Sequence, residues 1–146
     1  MQRKPFSPLL ITLVAAVCGG LQVPLSAHAA GSGCATVEVQ NVRPQLGQLM
    51  VAAYLDAESF RKQPVVALKL AAGEATMRFE LCGLTGENIA LMLFQDLDSD
   101  GKMGTNLVGM PTEPWGASGS PGMMGPTWET ARMALNGQTL VVKMSQ

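Results

Sequence analysis

The chain has 146 residues, 10 Lys and Arg against 11 Asp and Glu, and a formal net charge of −1. It carries no basic patch or Lys/Arg run, which makes nucleic acid and anionic membrane surfaces poor candidates as partners. Its first residues read as an export signal. Arg3 and Lys4 precede an apolar run, Leu9 to Val17, that is too short to span a bilayer, and Ala27-His28-Ala29 makes a small-x-small cleavage site.

A cut after Ala29 leaves residues 30–146 as one domain and shifts the charge from −1 to −3 by removing Arg3 and Lys4. No membrane insertion is expected after cleavage, and the protein is expected in the periplasm or outside the cell. Lipid anchoring through Cys18 is disfavoured, because Val17 stands where that processing prefers a small residue. Cys34 and Cys82 then remain, in an oxidising compartment and without a C-x-x-C, and are expected to form a structural disulfide.

The strands follow in chain order. ATVEVQNV alternates, with Val37, Val39 and Val42 as the apolar set, and Arg43 to Gly47 is a turn. QLMVAAYL is apolar on both faces, as in a central strand. DAESF turns the chain and drops Phe60 back onto the core. PVVALKLA is a short strand, and ATMRFELC sets Met77, Phe79 and Leu81 against Arg78 and Glu80. NIALMLFQD is the most hydrophobic strand, and QTLVVKM closes the domain after Gly137. Thr127 to Arg132 gives one or two helical turns, with Thr127 as N-cap. The expected fold is all-β: an antiparallel β-sandwich of about seven strands.

From Gly104 to Pro126, both included, run 23 residues without periodicity, six of them Gly and four Pro. A loop that long is functional or disordered. Trp115, Met110, Met123 and Met124 argue that it folds back on the sandwich.

The chemistry centres on FQDLDSDGKMG. Asp96, Asp98 and Asp100 occupy alternate positions and Gly101 follows. Carboxylates so spaced converge on a hard cation, with the carbonyl of Lys102 at the next ligand place. The pattern departs from a helix-flanked calcium loop. A strand precedes it, Gly104 holds the ninth place, and Leu107 stands where a bidentate Glu belongs. The missing oxygens must then come from Asn106, Glu113, Thr105, backbone carbonyls or water. With few charged ligands, Ca2+ affinity is expected to be low, about 10⁻⁴–10⁻³ M. The competing reading is a polar turn without metal, since Asp, Ser and Gly are turn residues.

The run from Ala90 to Gly119 and the segment GPTWETARMAL resemble a family of small secreted bacterial proteins of unknown function, domain of unknown function twenty-one forty-one. The matching motifs are Gln95-Asp96, Asp98-Ser99-Asp100-Gly101, Gly109 to Ser118, and Pro126 to Ala131, with Gly47 to Phe60 resembling its second strand. The resemblance implies a prealbumin-like sandwich exported from the cell, and no activity; the fold expected is thus a prealbumin/immunoglobulin-like sandwich. Here Gln95 stands where His is usual and Gly104 where Asp is usual, so two candidate ligands are absent.

An enzyme is not expected. His28, the sole histidine, leaves with the signal, so no Ser-His-Asp or Cys-His arrangement can form. Asp96 and Glu113 remain as an acid–base pair in principle. Met110, Met123 and Met124 offer soft ligands for copper, although methionine more often fills apolar gaps. Two functions are expected from these residues. One is a calcium-stabilised module that presents Trp115, Met110 and Ser118 to a protein or glycan. The other is a non-catalytic structural protein of the cell envelope.

Overall fold

The computed structural model describes residues 33–120, 122 and 125–145. The export signal falls outside them, as do Met123 and Met124 of the copper reading. Eight strands and one short helix occur among the described residues: β1 (Gly33–Gln40), β2 (Gln48–Tyr54), β3 (Val66–Ala71), β4 (Thr76–Leu84), β5 (Asn88–Asp96), β6 (Trp115–Ala117), α1 (Trp128–Ala131), β7 (Arg132–Ala134) and β8 (Leu140–Lys143). None of these elements is a helix long and apolar enough to cross a membrane.

Two sheets form the sandwich. One has the order β4-β1-β8 and the other β3-β2-β5-β6, with β7 also on β5. Alternation sends Val37, Val39, Leu81, Leu140 and Val142 inward from the first sheet. Leu49, Val51, Ala53, Ile89, Leu91 and Leu93 meet them from the second. Full burial of each Val, Leu or Ile among them stabilises by roughly 1.5–3 kcal/mol before the entropy of ordering is subtracted.

The alternation expected for β4 holds. Leu81 is buried, Met77 and Phe79 pack against the core, and Arg78 and Glu80 are exposed. The outer face of the first sheet is polar. Glu38 sits opposite Arg78 and pairs with it, and the Thr36 hydroxyl donates to Glu80 at 2.7 Å. The Gln40 amide and the Arg78 guanidinium hold the Glu38 carboxyl below its ordinary pKa. The Cys34–Cys82 disulfide is present, its Cα atoms 4.0 Å apart, at the bulge where the β1–β4 register shifts.

Three features depart from the sequence expectation. First, β1 and β8 run parallel. These strands are not sequence neighbours: the rest of the domain connects them, and a connection of that length, unlike a hairpin, permits a parallel pair. Second, Phe60 does not enter the core between the sheets. It joins Tyr54, Ala90 and Ala131 in a second cluster, with ring centroids 5.3 Å from Tyr54 and 6.2 Å from Trp128. Third, the aperiodic stretch after Gly104 is not one loop, because β6 lies within it. Strands β6 and β7 share one edge of β5: β6 pairs with Met92–Phe94 and β7 with Asn88–Ala90.

Ser118 fills the gap between these two short strands. Its Oγ accepts from the Leu91 N–H at 2.8 Å and donates to the Ala131 carbonyl at 2.5 Å. At Ala131, α1 hands over to β7. The helix begins as expected at Thr127, in a capping box with Thr130.

Gly47 joins the β1–β2 turn to the end of β5. Its φ is +61°, and a Cβ there would lie 2.0 Å from the Asp96 carbonyl oxygen. Both the left-handed backbone and the close approach require glycine. Gly47→Ala is therefore expected to cost about 2–4 kcal/mol of stability. Denaturant unfolding at equilibrium measures it, and a loss below about 1 kcal/mol would show that the approach relaxes freely.

Candidate functional site

β5 ends in two fully buried polar residues that point to different partners. Gln95 serves the β1–β2 turn. Its Nε2 donates to the carbonyls of Arg43 at 2.7 Å and Leu46 at 2.6 Å, and its Oε1 accepts from the Arg43 N–H at 2.9 Å. The position where the resemblance implies His is here a turn clasp. By the resemblance alone Gln95 is a lost ligand; its clasp role shows only in the fold, and the one sequence sign is an amide at the end of the most hydrophobic strand.

Asp96 begins the carboxylate loop, and the loop backbone wraps around it. Oδ1 accepts from the Asp100 N–H at 3.1 Å and Oδ2 from the Gly101 N–H at 2.9 Å. Ser99 at φ 63° and Gly101 at φ 79° supply the left-handed turns that aim these amides inward. Glu113 closes the loop from outside. Its Oε1 accepts from the Leu97 N–H at 2.6 Å and its Oε2 from the Gly104 N–H at 2.8 Å. Residues 97 and 104 are the two ends of the loop, so one carboxylate ties them together.

Glu113 is placed by a small hairpin. The Thr112 N–H donates to the Gly104 carbonyl, Thr105 bridges to Pro111, and Asn106 exchanges backbone bonds with Gly109 and Met110. The Gln95 N–H then donates to the Pro114 carbonyl at 2.8 Å, so Glu113 is fixed just before β6 begins. A Cβ on Gly104 would lie 2.8 Å from Thr112 Oγ1 and 3.4 Å from Glu113 Cγ, so glycine suits this crowded place.

Of the expected metal ligands, the fold brings together Asp96, Asp98 and Glu113. One carboxylate oxygen of each lies within 4.8 Å of the others. Asp96 is fully buried and Glu113 is 8% exposed, while Asp98 faces solvent. Among the described residues the ion pairs are Arg78–Glu38 and Arg132–Glu129, so no Lys or Arg neutralises these three groups.

The other expected ligands stand elsewhere. Asp100 is exposed and its Oδ1 accepts from the Lys102 N–H at 2.7 Å, outside the converging set. Asn106 spends its Oδ1 on the N–H groups of Val108 and Met110, which builds the hairpin tip. Of the expected binding surface, Met110 is 62% exposed beside Leu107 and Val108, and Trp115 is half-buried in β6. Ser118 is fully buried and contributes its two bonds inside the sheet rather than a surface.

A family model described as "Uncharacterized protein conserved in bacteria" (DUF2141) matches residues 37–143. The chain belongs to this DUF2141 family. No curated protein and no solved structure matches it. The match runs from within β1 to the end of β8, so the carboxylate loop, the hairpin and the Ser118 junction all lie within the DUF2141 domain.

Glu113→Gln keeps the shape of the side chain but turns an NH₂ toward a backbone N–H. The expected cost is about 1–3 kcal/mol, the usual range for a buried bond left unmade. Hydrogen exchange should show the Leu97 and Gly104 amides opening together while the amides of β2 stay protected. Unchanged exchange at both positions would show that Glu113 does not hold the loop.

Proposed function

We propose that this protein is an exported, prealbumin-like β-sandwich module, stabilised by calcium at Asp96, Asp98 and Glu113, that binds a protein or glycan through the adjoining hairpin. The observation that supports it most is the convergence of three carboxylate oxygens within 4.8 Å, two of the groups buried and none paired with a cationic side chain. Hard oxygen ligands of this kind suit Ca2+, with solvent at Asp98 leaving room for water to complete the shell. The N–H groups on Asp96 and Glu113 offset part of the negative charge, and each carboxylate oxygen retains a second lone pair.

Export is supported by the apolar Leu9–Val17 run before Ala27-His28-Ala29, and the Cys34–Cys82 bridge fits an oxidising compartment. The partner surface is supported by the hairpin tip, where Leu107, Val108 and Met110 are 107%, 80% and 62% exposed. Apolar side chains held out by an ordered turn favour a protein partner. Binding rather than catalysis is the reading supported: residues 30–146 hold no histidine, and all four oxygens of the remaining acid–base pair, Asp96 and Glu113, accept backbone N–H groups.

One observation favours a second reading, a structural envelope protein without metal: Asp96 and Glu113 already have all four oxygens bonded to backbone amides. Thermal unfolding separates the two. Calcium at ten times a millimolar-range Kd should add about 1.4 kcal/mol, a rise of roughly 4–8 °C. Magnesium should give much less, and Asp98→Ala, at an exposed position, should remove the calcium shift with little change in chelator. No calcium shift, or one that Asp98→Ala leaves intact, would favour the metal-free reading.

A further inference from the structure

The two outer faces of the sandwich differ. The β1–β4 face carries Thr36, Glu38, Arg78 and Glu80. The face of β3, β2 and β5 is nearly all apolar, although no element among the described residues covers its middle. Strand register explains its relief. Lys69, Met50 and Phe94 stand in one cross-strand row, and Ala67, Ala52 and Met92 in the next. The paired alanines make the second row low. Beyond it rises Tyr54, backed by Phe60 and Trp128. The result is a groove of about 430 Å³ whose wall is completed by Met103 from the carboxylate loop.

We infer that this groove binds a single-chain carboxylate amphiphile, a free fatty acid, with its chain over the alanine row and its head beside Lys69. Charge complementarity selects this occupant. Lys69 is the one charged residue lining the groove, and it has no ion-pair partner among the described residues. It lies with exposed Ala67 on β3, the edge of the sheet, so an anionic head there stays in water while the chain enters apolar surroundings. The volume falls in the range of small-molecule sites, about 300–1,000 Å³. Met50, Met92 and Met103 supply flexible, polarisable walls that adapt to a chain without fixed shape. Few hydrogen-bonding groups line the groove, which disfavours a polar peptide or glycan there. Lys69 also guards the free edge of β3 against pairing, and the two roles are compatible. This inference does not depend on the calcium reading.

The test is methyl NMR of the protein labelled at methionine, titrated with dodecanoate below its micelle concentration. Chelator is kept present so that calcium does not precipitate the acid. The resonances of Met50, Met92 and Met103 should move and that of Met110 should not. Dodecanoate should bind more tightly than dodecanol, and dodecyltrimethylammonium most weakly. Lys69→Gln should weaken dodecanoate roughly two- to fivefold, the range of a partly exposed charge pair, and leave dodecanol unchanged. Ala67→Phe, at an exposed position, should block both ligands without lowering the melting temperature appreciably. The inference is overturned by unmoved groove methyls at millimolar dodecanoate. Equal or tighter binding of the cationic amphiphile also refutes it, as does a dodecanoate affinity indifferent to Lys69→Gln. Groove shifts that follow protein concentration alone would assign the face to a second copy of the chain.

Discussion

Two buried carboxylates organise the functional end of this sandwich. Asp96 and Glu113 each collect two backbone N–H groups, and together they fix both ends and the bend of the loop between β5 and the hairpin. A buried anion is tolerable only when its charge is answered. Here four charge-assisted hydrogen bonds from the loop backbone answer it in part, with the exposed Asp98 beside them. The hairpin direction, the start of β6 and the position of Met103 all follow from this arrangement.

The rest of the fold supplies the frame. β5 lies at the centre of the second sheet, paired with β2 along its length and with β6 and β7 end to end on its other side. Ser118 bridges the junction between them with both backbone and side chain: its N–H donates to the Leu91 carbonyl at 3.0 Å and its Oγ accepts from the Leu91 N–H at 2.8 Å. The chain's end also ties the sheets together. The Met144 N–H reaches Gln40 of β1, while the Ser145 N–H reaches Trp115 of β6 at 2.7 Å. Gln95 and Gly47 hold the β1–β2 turn against the last residues of β5. The carboxylate loop therefore stands on a rigid base, although it is itself exposed at its tip.

Much of this was legible in the sequence, for physical reasons. Period-two alternation in β1 and β4 has one cause, a single buried face, and it reads directly. The two-sided apolar character of β2 reads as a central strand, and β2 does lie between β3 and β5, although Met50 and Ala52 on its outer face are only half-buried. The disulfide reads from two cysteines 48 residues apart with no C-x-x-C, and the start of α1 from the capping chemistry of Thr127. The short strands β6 and β7 were not legible, because three residues cannot show a period, and Trp-Gly-Ala between prolines looks like loop. From the sequence Ser118 is expected on a binding surface; its burial depends on the junction of β6 and β7 on β5, which only the three-dimensional pairing creates. In the aspartate stretch the alternate spacing was visible, but the spacing does not say which carboxylate turns inward. Asp96 does, Asp100 does not, and Glu113 arrives from beyond a hairpin that local pattern did not reveal.

The most direct measurement is amide hydrogen exchange at Leu97, Asp100, Gly101 and Gly104, in chelator and at saturating calcium. These are the four N–H groups that the two carboxylates accept. The account predicts that all four are protected together in chelator, well above the exposed Ser99, and that calcium slows them further as a group. Exchange at the rate of a free loop in both conditions would contradict it, because the carboxylates would then hold neither the backbone nor an ion.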